Sequence, residues 1–318
     1  MSMALLFSPQ GSQVVGMGQE LADASTAARA VFATADATLG WGVSTVAWEG
    51  PEDLLNDTRQ TQPCLVATEL AALAALQEAL PALRPAFVAG HSVGEYAALA
   101  AAGVLSIEDA LRLVARRALL MSEQGGGGML AVIGLSRHVV AESIAMVGTP
   151  DRVIVANDNA PGQVVVSGQA DALSDAAQAL TAAGARRIIP LRVSGPFHSP
   201  AMAGAGGRLS EAFDDVTWRD ATIPVVSNVT AQPERDAASI RALLARQVSS
   251  PVEWVASVER MRHAGVDTFV ECGPGNALTG MVRRIVPDAR TCSVSDPVTL
   301  AATVEALAAE AAAAGASV

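Results

Sequence analysis

Residues 86–102 read Ala86-Phe87-Val88-Ala89-Gly90-His91-Ser92-Val93-Gly94-Glu95-Tyr96 and continue as a run of small apolar residues. Residues 87–89 have the character of a buried strand end, and 93–102 of a helix. Between them Gly90-His91-Ser92-Val93-Gly94 matches G-x-S-x-G, the strand–turn–helix elbow that carries a nucleophilic serine. A serine at so sharp a turn sits in a strained backbone conformation, so the residues two before and two after it must lack bulk. The turn lifts the Ser92 hydroxyl off the sheet and aims the Val93 N–H at an oxygen on the attacked carbon. The plainer reading is a tight turn with a buried hydroxyl.

The rest of the chain fits an α/β protein. Its 318 residues suffice for one large domain and a smaller insert. Apolar residues make up 51% and aromatics only 3%, so the core is built from Ala, Val and Leu. Cys64, Cys272 and Cys292 are odd in number and far apart, which argues for a reducing compartment and against a disulfide framework or a zinc site. No metal-ligand cluster, P-loop or dinucleotide fingerprint is present. The start of the chain lacks the basic opening of a signal peptide, and the alanine-rich stretch 64–80 is broken by Glu69, Gln77 and Glu78. A cytoplasmic protein away from membranes is expected. The formal net charge of −11 argues against a nucleic-acid partner and would repel an acidic one at long range, so such a partner would need a local basic patch, for which Arg186-Arg187 and Arg283-Arg284 are candidates.

In order, residues 4–7 read as a buried strand running into Ser8-Pro9-Gln10-Gly11-Ser12-Gln13. Loops after strands are where open α/β sheets place their sites; the Gln10 amide could serve an oxyanion there, or the loop could be an ordinary turn. Helices are expected at 26–39, 61–80 and from 107 to about 124, the last capped by Ser106. The glycines at 125–128 mark a boundary. Strands at 129–135, 153–156, 163–167 and 187–193 with helices at 136–147 and 170–183 follow the split ferredoxin-like pattern, with 157–162 as a polar turn. Beyond it come strands at 223–226, 268–271 and 290–294 and helices at 238–248, 251–263, 277–286 and 298–314. The expected division is a large α/β-hydrolase-like domain with a mostly parallel sheet, 1–127 and 193–318, and a small inserted ferredoxin-like α+β subdomain, 128–192.

Two side chains stand out. On the helix after 106, Arg112 and Arg116 project opposite the apolar stripe, whereas Arg117 falls inside it, between Leu113 and Met121. An inward guanidinium needs an anion, either an internal Asp or Glu or the carboxylate of a substrate. A serine nucleophile needs a base, and the chain has four histidines. His91 adjoins the nucleophile and should point away from it. His138 lies among polar residues of a helix, and His263 at a helix C-terminus, where a cation is favourable in any case. His198, in Ser194-Gly195-Pro196-Phe197-His198-Ser199-Pro200 at the expected domain junction, remains as the base.

Together with Asn157 through Gln163, Gln247 ahead of Pro251-Val252-Glu253-Trp254, and Gly273-Pro274-Gly275, these segments resemble the malonyl-CoA:acyl carrier protein transacylase family over roughly residues 4–310. These are acyltransferases of fatty-acid and polyketide synthesis. The resemblance implies that Ser92 forms an acyl-enzyme and that His198 is base and acid, oriented by a backbone carbonyl near Gln247 rather than by a carboxylate. It implies an oxyanion hole from the N–H groups of Gln10 and Val93, and an Arg117 that clamps the malonyl carboxylate. Met121, Phe197, His91 and Asn159 fall on the substrate side, Phe197 in the malonyl-selecting form. The substrates would be malonyl-CoA and phosphopantetheinylated acyl carrier protein, with no further cofactor, in a monomer. Pro9 departs from the family's usual glycine and removes one N–H from that loop. A hydrolase, namely an esterase or editing thioesterase of the same fold, is the alternative within enzymes; a non-catalytic carrier-binding subunit is the alternative outside them.

Overall fold

The computed structural model describes residues 2–147 and 152–315. Among the described residues ten strands form two sheets: β1 (Met3–Phe7), β2 (Phe87–Gly90), β3 (Gly127–Ile133), β4 (Val153–Ala160), β5 (Gln163–Gln169), β6 (Arg187–Pro190), β7 (Val225–Val226), β8 (Pro233–Glu234), β9 (Thr268–Cys272) and β10 (Arg290–Val294). The larger has the order β10-β9-β1-β2-β7-β8 and is parallel except for β8. The smaller is β4-β5-β3-β6, antiparallel throughout, the order expected of a split β-α-β-β-α-β unit.

β1 is apolar from end to end because both of its faces are covered, as parallel strands require. Leu5 and Phe7 face one core, with Val88 and the helices Thr58–Ala79 and Ile107–Ser122. Ala4 and Leu6 face the other, with Trp254, Val258 and Leu278. Phe7 pairs with Gly90 on one side and Cys272 on the other, so β1, β2 and β9 end level. The loops opening at Ser8, His91 and Gly273 therefore emerge together at the carboxyl edge of the sheet, where a cleft forms. Among the described residues no helix is long and apolar enough to cross a membrane.

Three expected elements are corrected. The segment 157–162 is a polar turn only at Pro161-Gly162; β4 continues through Asn157, Asp158 and Asn159 with bulges. Val165 and Val164 of β5 oppose Asn157 and Asp158, and Val252 supports them from the other side: it bridges Asn157, accepts from the Asp158 N–H at 3.1 Å and donates to the Ala156 carbonyl at 2.8 Å. For the same reason the helix expected at 251–263 begins only at Trp254. The helix expected from 61 begins at Thr58, because the Asp57 side chain accepts from the Arg59 N–H at 2.9 Å and caps it. Pro63 lies within that helix, where it forfeits one intrahelical bond.

Glu69, on the same helix, is fully buried, and neither of its carboxylate oxygens has a hydrogen-bond partner. Glu271 nearby is satisfied: it accepts from Ser8 Oγ at 3.2 Å and from the Leu278 and Thr279 N–H groups at 3.1 and 2.8 Å. Burial, then the charge of Glu271, pushes the Glu69 carboxyl well above its ordinary range. An acid raised on folding binds more protons folded than unfolded, so stability is full below about pH 4.5 and falls as pH rises towards the folded value. The slope approaches about 1.4 kcal/mol per pH unit. Glu69→Gln is therefore expected to melt several degrees higher than the parent at pH 8, with the gap closing by pH 4.5. Thermal unfolding across that range checks it; a gap that does not narrow with acid would assign the effect to packing.

Candidate active site

The elbow is built as its spacing demands. Ser92 has φ 54° and opens a single 3₁₀ turn, Ser92–Gly94, before the helix Glu95–Ala101. A Cβ on Gly90 would lie 1.9 Å from the Gly94 carbonyl carbon, and one on Gly94 would lie 2.3 Å from the Phe7 oxygen. Only glycine fits at either position. Asn228, just after β7, grips the turn from outside. Its Oδ1 accepts from the Ser92 N–H at 2.7 Å, and its Nδ2 donates to the Gly90 carbonyl at 2.6 Å.

His198 stands over the serine with Nε2 2.6 Å from Ser92 Oγ. Its Nδ1 faces two carbonyl oxygens, Gln247 at 3.0 Å and Ser250 at 3.1 Å. Carbonyls only accept, so Nδ1 carries the hydrogen and Nε2 presents its lone pair to Oγ. These oxygens lie at and beyond the C-terminus of the helix Ala237–Gln247, where main-chain carbonyls lack intrahelical partners. Burial first, then the charge of Arg117, lowers the His198 pKa to about 3, so the ring is neutral near neutral pH. The other histidines lie elsewhere. His138 is exposed beside Glu142, and His263 is exposed with Nδ1 2.7 Å from the Glu259 carbonyl. His91 is buried, with Nε2 2.7 Å from Asn159 Oδ1 and its ring 5.3 Å from that of Trp254.

Arg117 is 1% exposed. Nη1 donates to Gln62 Oε1 at 2.8 Å; Nη2 donates to Ser92 Oγ at 3.0 Å and to Gln247 Oε1 at 3.1 Å. Its Nε has no partner, and its carbon lies 5.8 Å from the centre of the Tyr96 ring. Among the described residues no carboxylate forms an ion pair with it, so the internal salt bridge that sequence left open is not what holds this guanidinium. Arg116 and Arg112, by contrast, are exposed.

The cleft above has a volume of about 420 Å³ and is lined by Gln10, His91, Ser92, Asn159, Phe197 and His198, among others. Gln10 is tied down by its side chain: Oε1 accepts from Gln62 Nε2 at 3.2 Å and Nε2 reaches Thr58 Oγ1 at 3.5 Å. Val93 is fully buried in the 3₁₀ turn. Met121 is also buried and does not line the cleft; its sulfur lies 3.6 Å from Nε2 of Gln62, whose Oε1 accepts from Arg117.

Residues 4–310 match the acyl transferase domain family. The chain belongs to that family. This acyltransferase is 40% identical over 309 residues to the malonyl CoA-acyl carrier protein transacylase of Bacillus subtilis, covering 96% of this chain and 97% of the relative. It is 41% identical over 302 residues to the protein of that name from Salmonella typhimurium, covering 94% and 97%. Among solved structures, an acyl-carrier-protein S-malonyltransferase from Burkholderia pseudomallei superposes with a TM-score of 0.93 at 38% identity, covering 96% of this chain and 100% of that one. A malonyl-transacylase in complex with its type II PKS acyl-carrier protein superposes with a TM-score of 0.92, also at 38% identity, covering 96% and 99%.

Three residues of the acyltransferase site were not singled out from sequence. Gln62 supports both Gln10 and Arg117. Asn228 holds the elbow, and its position directly after a strand at the carboxyl edge of the sheet was the available signal. Glu95 is buried two residues along the helix from Val93 and accepts from Gln247 Nε2 at 2.6 Å. Nothing local in the sequence reveals that contact.

Proposed function

We propose that this acyltransferase is a malonyl-CoA:acyl carrier protein S-malonyltransferase that works by a ping-pong route through malonyl-Ser92. The observation that carries the reading is a buried guanidinium without a carboxylate partner, 3.0 Å from the hydroxyl that faces His198 Nε2. A fixed fork of donors beside a nucleophile suits an acyl group whose own carboxylate lies one methylene beyond the carbonyl under attack. The names of its relatives point the same way.

In this reading His198 Nε2 takes the Ser92 proton as Oγ attacks the thioester carbon. The carbonyl oxygen develops charge toward the N–H groups of Gln10 and Val93, and the intermediate collapses with cleavage of the C–S bond. His198 then returns its proton to the coenzyme A sulfur. The phosphopantetheine thiol of acyl carrier protein repeats the sequence in reverse on the malonyl ester. His91, Asn159 and Phe197 wall the acyl site, while Met121 backs the clamp through Gln62. The division into a large unit, 1–127 and 193–318, and a small one, 128–192, belongs to the same reading. It is supported by the small sheet's separate core of Val132, Val140, Val164, Val166 and Leu180. A monomer acting in the cytoplasm completes it.

Intact-protein mass after brief mixing with malonyl-CoA tests the reading. One malonyl adduct is expected on the parent protein and none on Ser92→Ala, and holo acyl carrier protein should discharge it. Release of free malonate with no adduct and no transfer would make the protein a hydrolase instead.

A further inference from the structure

Arg117 is a buried charge surrounded by neutral oxygens, and its countercharge is one amide away. Glu95 is 4% exposed. Its carboxylate accepts from Gln247 Nε2 at 2.6 Å. Gln247 Nε2 also donates to the Ser92 carbonyl at 2.9 Å, while Gln247 Oε1 accepts from Arg117 Nη2 at 3.1 Å. A carboxylate only accepts, so Glu95 fixes which end of the amide faces it, and thereby turns Oε1 toward the guanidinium. Positive and negative charge are thus joined through one oriented side chain.

We propose that Glu95 is the positioning and charge-balancing residue of the clamp, taking up a proton from solvent when a malonyl carboxylate settles on Arg117. The inference rests on the proposed malonyl transfer. Without substrate the buried pair is close to neutral; an arriving carboxylate leaves two negative charges sharing one guanidinium in a dry site. An uncompensated buried charge is costly. The incoming carboxylate takes the guanidinium directly, so the charge removed most cheaply is the one on Glu95. Burial already holds the Glu95 carboxyl at about 7, offset in part by Gln247, Asn228 and Arg117. The other titratable groups near it supply no competing charge near neutral pH. Burial lowers His198 to about 3 and His91 to about 4, and it raises the Tyr96 hydroxyl above its ordinary range. Acyl transfer itself is proton-neutral: the Ser92 proton leaves on the coenzyme A thiol, and the added proton comes from water.

The test is proton uptake, read with an indicator dye in weak buffer as the full-length protein is mixed with malonyl-CoA, with mass spectrometry counting malonyl-Ser92. Uptake approaching one proton per adduct is expected at pH 8, declining as the pH falls through 7 because Glu95 is then already protonated. Glu95→Gln should form adduct without that uptake; ionisation of the released thiol is common to both proteins and cancels in the difference. Infrared difference spectra of the unaltered protein provide a reading that needs no variant. A carboxylic-acid carbonyl band that shifts in D₂O should rise with malonylation at pH 8, whereas the ester band does not shift. Equal uptake in the parent and Glu95→Gln, or no shifting band, would overturn the proposal. Absence of any malonyl adduct on the parent protein would instead overturn the assigned transfer.

Discussion

His198→Ala is expected to slow malonylation of Ser92 by roughly 10⁴-fold, the upper end of what a positioned general base contributes. The magnitude follows from the geometry. Nε2 is already 2.6 Å from Oγ, and the ring is held by two carbonyls on its far side, so little reorganisation precedes proton transfer. KM for malonyl-CoA should change far less, because no hydrogen bond joins the ring to the guanidinium itself. Single-turnover mixing read by intact mass separates the two effects. His198 has φ 57°, a strain that the parent already carries and that alanine does not relieve; circular dichroism distinguishes a slow enzyme from an unfolded one. The pH profile of the parent supplies an internal check. With the histidine pKa lowered to about 3, loss of the base on acidification should begin far below the ordinary histidine range, not near pH 6.5. A limb at 6.5 that disappears in the variant would show an imidazole more exposed to solvent than this one.

Arg117→Ala is expected to lower malonyl transfer by roughly 10²- to 4 × 10³-fold while sparing, or even raising, transfer of acyl groups that lack a second carboxylate, acetyl-CoA being the comparison. Removing one partner of a buried charge pair costs about 3–5 kcal/mol, and each 1.4 kcal/mol is tenfold in rate. The variant also leaves Gln62 Oε1 and Gln247 Oε1 without the donor they share, so some loss of stability accompanies the loss of specificity. Equal losses for malonyl and acetyl would make Arg117 a structural residue. A second readout is independent of substrate. The Arg117 charge is one of the causes that lower His198, so its removal should move the acid limb upward.

What was legible in the sequence was what depends on near neighbours. Gly90, Ser92 and Gly94 could be read because steric demand at the elbow acts over a few residues. Arg117 could be read because helical phase places it inward with Leu113 and Met121, all three of which are buried. His198 emerged because only four histidines had to be weighed. The order of strands in the small sheet follows from a repeating pattern of short elements. What escaped was set at a distance. Asn157 and Asp158 have the composition of a turn, yet they pair with Val165 and Val164 of β5 on one side and with the remote Val252 on the other. The helix Ala203–Glu211 carries three glycines, which suppress any local helical signal, yet packing of Gly206 close to the Ala245 carbonyl favours so small a residue. Glu69 read as a break in an apolar run and lies fully buried. The roles of Gln62, Asn228 and Glu95 are contacts between distant segments, for which no spacing rule exists.

The anchoring of His198 by main-chain oxygens has a genetic consequence. An orienting aspartate can be lost in a single codon change, but every amino acid brings a carbonyl, so no substitution at 247 or 250 deletes the acceptors. Drift at 250 acts on the base through backbone displacement, whereas Gln247 is also tied by its side chain to Arg117, Ser92 and Glu95. The vulnerable lesion is therefore a change in length: one residue gained or lost between the end of the helix Ala237–Gln247 and Pro251 would swing both oxygens away from Nδ1. Lineages of this enzyme should hold the length of that short link constant.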